Sequence, residues 1–101
     1  MSYYSSVLAR MGSQQGDWFR LFMVPGMGHC GGGPGPNQVN WVAALERWRE
    51  SGIAPDQLTA FRVDTNYRVD MTRPVCPYPQ VPKYAGVGST NDAGNFVCKS
   101  P

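Results

Sequence analysis

An α/β layered arrangement is the fold class this sequence predicts, on three observations. Residues Ser2–Met11 repeat apolar side chains on one helical face. Trp18–Val24 is a nearly continuous apolar run, cut off by Pro25-Gly26. Gln38–Ser51 again places apolar residues at helical spacing. Helix, strand and helix in that order are a unit of a layered α/β fold. The full expected order is helix, strand, histidine-bearing loop, helix, short strand and irregular tail.

In the first helix, Tyr4, Val7, Leu8 and Met11 fall at i, i+3, i+4 and i+7. Ser2 suits its N-cap and Gly12 its C′ position. Ser13–Asp17 is polar and reads as a loop. Arg20 alone interrupts the apolar run that follows, and Pro25 stops it too early for a helix, so a buried strand is expected. Six glycines and two prolines between Gly26 and Pro36 exclude regular structure there. The next helix is expected to start at Pro36 or Asn37. Trp41, Val42, Leu45 and Trp48 form its core face, with Glu46, Arg47 and Glu50 mostly opposite. Gly52 ends it, Ala54-Pro55-Asp56 turns the chain, and Leu58–Val63 alternates as a short edge strand. Beyond Asp64 the periodicity fades. Arg73–Pro79 reads as extended and partly polyproline-like, Lys83–Ser89 as loop, and Asn91–Cys98 shows no period. One central strand cannot make a sheet by itself. The chain is therefore expected to be a fragment or to need a partner.

Composition sets outer limits. A chain of 101 residues is long enough for one small domain. Its 9 basic and 7 acidic residues are dispersed and sum to only +2, with no basic run interleaved with aromatics, which argues against a nucleic-acid partner. No apolar stretch is long enough to span a membrane. The N-terminus is not signal-like, so any export signal is expected to lie outside these residues. Three cysteines make an odd count: two are expected to pair and one to be left over, inert, reactive or bonded outside this sequence. A Cys76–Cys98 bridge would constrain a tail poor in apolar residues, and loop closure of this size is worth about 3 kcal/mol.

The single histidine, His29, is the first candidate for chemistry. A lone histidine is commonly structural. Its place favours function, because a strand end opening into a glycine-rich loop before a helix is where α/β folds put reactive groups. Gly26-Met27-Gly28-His29-Cys30-Gly31 matches G-x-G-x-x-G, the dinucleotide fingerprint. That fingerprint needs its third glycine in the opening turn of the helix. Gly32-Gly33-Pro34-Gly35-Pro36 intervenes here, so the match is read as coincidence. A zinc site from His29, Cys30, Cys76 and Cys98 has four suitable ligand types, but adjacent ligands fit one tetrahedral ion badly and no C-x-x-C pair is present. Trp41, Leu45 and Trp48 read as ordinary core.

Two long motifs, FRLFMVPGMGHCGGGPGPNQVNW and MTRPVCPYPQVPKYAGVGSTNDAGNFVC, resemble the C-terminal end of the tannase/feruloyl esterase family. The likeness runs from Tyr3-Tyr4 to Cys98. It implies that residues 1–101 are part of an α/β-hydrolase catalytic domain, from enzymes that cleave esters of aromatic acids such as gallate and ferulate with a Ser-His-Asp triad. His29 matches the catalytic histidine. Cys30 matches a cysteine bonded to the one just before the nucleophilic serine, which would put its partner outside this chain. Cys76 and Cys98 match a second family disulfide. The nucleophile elbow, the aspartate (expected shortly before Tyr3-Tyr4) and the lid domain with its calcium site have no counterpart in these residues. Asp17 precedes the histidine strand and is on the wrong side for the acid. The resemblance thus implies no cofactor in this segment, an aromatic ester substrate for the complete enzyme, a need for the missing N-terminal part, and a secreted or periplasmic location. The isolated chain is expected to be inactive. The alternatives are a non-catalytic truncated remnant, an interaction module, or a fragment complementing a separately encoded half with the Ser and Asp.

Overall fold

A computed structural model describes residues 2–101. Helix α1 (Ser2–Met11) has the predicted bounds, and Gly12 closes it at φ 84° by donating its N–H to the Leu8 carbonyl at 3.0 Å. The α1 face reaches the rest of the chain through aromatic rings. Tyr4 lies 5.5 Å from Phe19 and 5.9 Å, edge-on, from Tyr78. Ser13–Asp17, expected to be a loop, is a 3-10 helix. It buries Gln15, whose side-chain amide donates to the Phe19 carbonyl at 2.8 Å.

The predicted strand Trp18–Val24 is not one. Its only ladder contact is an antiparallel bridge between Phe22 and Pro77, with the Tyr78 N–H on the Leu21 carbonyl at 2.8 Å. The flanking prolines, Pro77 and Pro79, have no N–H to carry the ladder further. No other strand lies along the segment among the described residues. Trp18 and Met23 are accordingly exposed rather than buried.

Helix α2 (Trp41–Ser51) begins later than expected. Gln38 is held in an antiparallel bridge to Phe61, donating to and accepting from its backbone at 3.1 and 2.9 Å. The first place free to turn helical is therefore past Asn40, whose side chain caps the Ala43 N–H at 3.1 Å. Gly52 ends the helix in the left-handed region, as expected. The proposed core face is largely uncovered: Trp41, Val42 and Leu45 are 48, 67 and 65% exposed.

The tail is not irregular. β1 (Leu58–Val63) pairs antiparallel with β2 (Val69–Val75), Leu58 opposite Val75. β3 (Val81–Tyr84) pairs antiparallel with β4 (Phe96–Lys99). A disulfide between Cys76 and Cys98 ties the end of the first hairpin to the second. The core is small and sits here, at Ala60, Val75 and Cys76. The radius of gyration, 14.7 Å, exceeds the about 13 Å typical of a compact chain of this length.

Candidate active site

His29 stands at the tip of a double-necked glycine loop. The outer neck is a hydrogen bond from the Gly35 N–H to the Gly26 carbonyl, at 2.9 Å. The inner neck runs from the Gly28 N–H to the Gly32 carbonyl, at 3.0 Å. At the tip, the Gly31 N–H bonds the Gly28 carbonyl at 3.2 Å, so His29-Cys30 are the central pair of a β-turn. A Cβ on Gly35 would stand 2.7 Å from the Pro25 carbonyl oxygen, and one on Gly28 would be equally close to that of Gly31. These two positions exclude larger residues because the limbs of the loop press together.

The third place of the turn requires positive φ, and Cys30 fills it at φ 62°. Glycine is the usual occupant of this place, and a residue with a Cβ is strained there by about 1 kcal/mol or more. The Cys30 Sγ lies 3.0 Å from the His29 Nδ1, and both side chains are exposed. Nδ1 is thus occupied, and Nε2 has no hydrogen-bond partner among the described residues. No carboxylate hydrogen-bonds His29 among them either.

The loop is fastened at both ends. On its N-terminal side Arg20 donates to the Gly16 and Pro55 carbonyls at 2.8 and 2.6 Å and pairs with Asp56 at 2.8 Å. On the C-terminal side Arg62 of β1 donates to the Pro34 carbonyl at 2.7 Å, and the Gln38–Phe61 bridge follows. Arg62 is also held by Asp70 on β2 through two parallel bonds of 3.0 and 3.1 Å. That hydrogen-bonded pairing holds the Asp70 carboxyl below its ordinary value and raises Arg62. A groove of about 320 Å³ runs between the neck (Pro25, Gly26, Pro34, Gly35) and Ala60 and Val75 of the first hairpin; His29 is not among its lining residues.

Of the four sequence-derived site residues, the structure places His29 and Cys30 side by side on one turn. It bonds Cys76 to Cys98 within the hairpin region. Those two sulfurs are therefore not thiolate ligands beside His29 and Cys30. No group of three or more His, Cys, Asp or Glu residues suited to a metal ion occurs among the described residues. No helix is long and apolar enough to cross a membrane among the described residues. Sequence reasoning missed the loop's support. The Arg62–Asp70 pair had a local signal, opposite charges flanking a turn; the bond from Arg62 to Pro34 had none.

The family model described as "Tannase and feruloyl esterase" matches residues 1–99. The chain belongs to the tannase and feruloyl esterase family. It is 44% identical to the mono(2-hydroxyethyl) terephthalate hydrolase of Piscinibacter sakaiensis, over 98% of this chain and 17% of that protein. It is 38% identical to a probable feruloyl esterase of Arthroderma benhamiae, over 97% of this chain and 19% of that one. The crystal structure of feruloyl esterase B from Aspergillus oryzae superimposes with a TM-score of 0.88 at 28% identity, covering 97% of this chain and 23% of the other. The chain therefore spans about a fifth of the length of these relatives.

Proposed function

We propose that residues 1–101 are the histidine-bearing, C-terminal part of an α/β-hydrolase catalytic domain, and that the complete hydrolase cleaves carboxylic esters of aromatic acids. The observation that carries this reading is the His29-Cys30 turn in a chain of this family, which presents the imidazole with Nε2 free. The relatives, a probable feruloyl esterase, a feruloyl esterase B and a mono(2-hydroxyethyl) terephthalate hydrolase, support aromatic acyl groups.

In this mechanism a serine outside residues 1–101 attacks the ester carbonyl carbon. Nε2 of His29 takes the serine proton as the C–O bond forms, then gives it to the departing alkoxide oxygen as the ester bond breaks. Water enters by the same proton path and releases the aromatic acid, which restores the serine. An aspartate, also outside this segment, takes the Nδ1 proton contact that Cys30 Sγ now occupies. Cys30 joins a cysteine beside that serine, so that the two reacting loops keep a fixed distance. No step draws on a cofactor held by residues 1–101. Two disulfides suit an oxidising compartment, and a secreted or periplasmic location follows.

The test is His29→Ala in the full-length hydrolase containing this segment. Turnover of a methyl ferulate or methyl gallate ester should fall by at least about a hundredfold, the usual scale of general acid–base help, with thermal unfolding unchanged. Retained turnover would refute the assignment. The 101-residue chain alone should hydrolyse neither ester above the buffer rate.

A further inference from the structure

Arg62 is the side chain of the first β-hairpin that hydrogen-bonds the histidine loop inside its outer neck, and nothing in the triad chemistry requires it. Its guanidinium makes three hydrogen bonds. Nε and Nη2 engage the two carboxylate oxygens of Asp70 across the hairpin, at 3.0 and 3.1 Å. Nη1 reaches 28 positions back in sequence to the Pro34 carbonyl, at 2.7 Å. Pro34 precedes Gly35, whose N–H closes the outer neck. The bidentate pair fixes the fork, and the fixed fork aims the remaining N–H at the loop.

The need for such an anchor follows from composition. A loop with six glycines between Gly26 and Pro36 has large conformational entropy to lose. Its two necks are backbone bonds within the loop itself, so they shape it without attaching it to anything. Attachment comes at four places: the Arg20 clamp and the Phe22–Pro77 bridge on the N-terminal side, and the Gln38–Phe61 bridge and Arg62 on the other. Of these, only Arg62 grips the loop between its outer neck and its tip.

We infer that Arg62, aligned by Asp70, is a positioning residue that latches the His29 loop onto the first β-hairpin. As a statement about His29 in catalysis, this rests on the ester-hydrolase reading above; as a statement about the loop, it does not. The latch has no contact with substrate and acts through the Pro34–Gly35 limb. Misplacement of a catalytic group by about 1 Å is costly in rate, so loosening the limb should lower kcat and leave substrate binding alone.

Two measurements test it. Amide hydrogen exchange on the full-length hydrolase containing this segment reads the loop directly. Arg62→Met should speed exchange at Gly35 by about tenfold while the amides at the Leu58–Val75 end of the hairpin stay within twofold. Unchanged exchange at Gly35 would overturn the latch. If the Leu58–Val75 amides also loosen, Asp70→Asn decides: faster exchange at Gly35 alone supports the latch, and any other pattern overturns it. In the full-length hydrolase, Arg62→Met should lower kcat about tenfold with KM within twofold. Arg62→Lys should recover part of it, because an ammonium can still donate to Pro34. An effect confined to KM would overturn the positioning role. Should His29→Ala leave turnover intact, the esterase reading falls while the exchange result still judges the latch.

Discussion

Removing the Cys76–Cys98 bridge should open the second hairpin before anything else. The bridge closes a loop with a sequence separation of 22. Chain-entropy loss for a loop of that length corresponds to about 3.4 kcal/mol at 25 °C. A few contacts from β2 also tie β3–β4 and the turn between them to the rest of the chain. Arg73 of β2 lies over the Phe96 ring at 4.3 Å and donates to the Thr90 carbonyl at 2.8 Å. Thr72 accepts the Ala93 N–H at 2.8 Å. The Thr72 N–H also donates to the Asn91 carbonyl at 2.9 Å; contacts of this sort are worth about 1 kcal/mol each, so the covalent link is the largest single tie. Replacing both cysteines by alanine should raise the opening constant of β3–β4 amides by about 300-fold, the exponential of that entropy. Amides in β1–β2 should respond far less. Amide exchange followed by NMR measures both hairpins at once. Acceleration of less than about fivefold in β3–β4 would mean that side-chain packing, not loop closure, holds the second hairpin, and the reasoning would fail.

Two further outcomes follow from local geometry. Cys30→Val puts a β-branched residue at φ 62° and should speed exchange of the Gly31 amide by about fivefold, the equivalent of about 1 kcal/mol of added strain; Cys30→Gly should not, and equal rates in the two variants would contradict the strain argument. The Asp70 carboxyl is held below its ordinary value, first by the Arg62 hydrogen bonds and then by the Arg62 charge. Its contribution to stability is therefore complete above the unfolded value of 3.8 and is lost as pH falls through the lower folded value. The urea midpoint should drop more steeply between about pH 5 and about pH 2 in the wild type than in Asp70→Asn; parallel slopes would contradict the pairing.

Much of the local structure was legible because it rests on local chemistry. Helix α1 took its predicted bounds from a four-residue apolar stripe, and β1 from alternation between Leu58 and Val63. Gly52 and Gly12 stopped their helices as expected. The misses have a common cause in non-local pairing. The start of α2 was set by the Gln38–Phe61 bridge, which no window around Gln38 contains. β2 and β3 were hidden by Pro74 and Pro82. Prolines are tolerated there because each sheet has only two strands, so every strand has an open edge where the missing N–H goes unused. A usable signal for the first hairpin did exist. Asp64 accepts the Asn66 and Arg68 N–H groups at 2.8 and 3.0 Å, an Asx-type turn that its Asp-Thr-Asn sequence suits. At the site, the exposure of His29 by glycines was readable, as was its adjacency to Cys30. The Arg62 latch was not, because 28 residues separate its partners.

The absent strand and the bare helix face are one physical fact seen twice. Phe19–Val24 keeps its apolar run yet makes a single bridge, and α2 keeps its apolar stripe yet leaves Val42 and Leu45 more than half exposed. A sequence selected only for the contacts seen in these residues would have no reason to keep both. Burial of a full Leu or Val side chain is worth about 1.5–3 kcal/mol, and here that energy goes unused while three small residues make the core. Polar and covalent links carry the load instead: the Arg20 and Arg62 clamps, the Asx turn and the disulfide. This is the economy expected of a part whose apolar surfaces are completed elsewhere. It agrees with a chain that covers only 17% to 23% of the relatives it matches. On the proposed reading, the loop that presents His29 is braced from within, by Arg62 and the glycine necks. Its Nε2 can thus be held ready before the residues that supply serine and aspartate are brought against it.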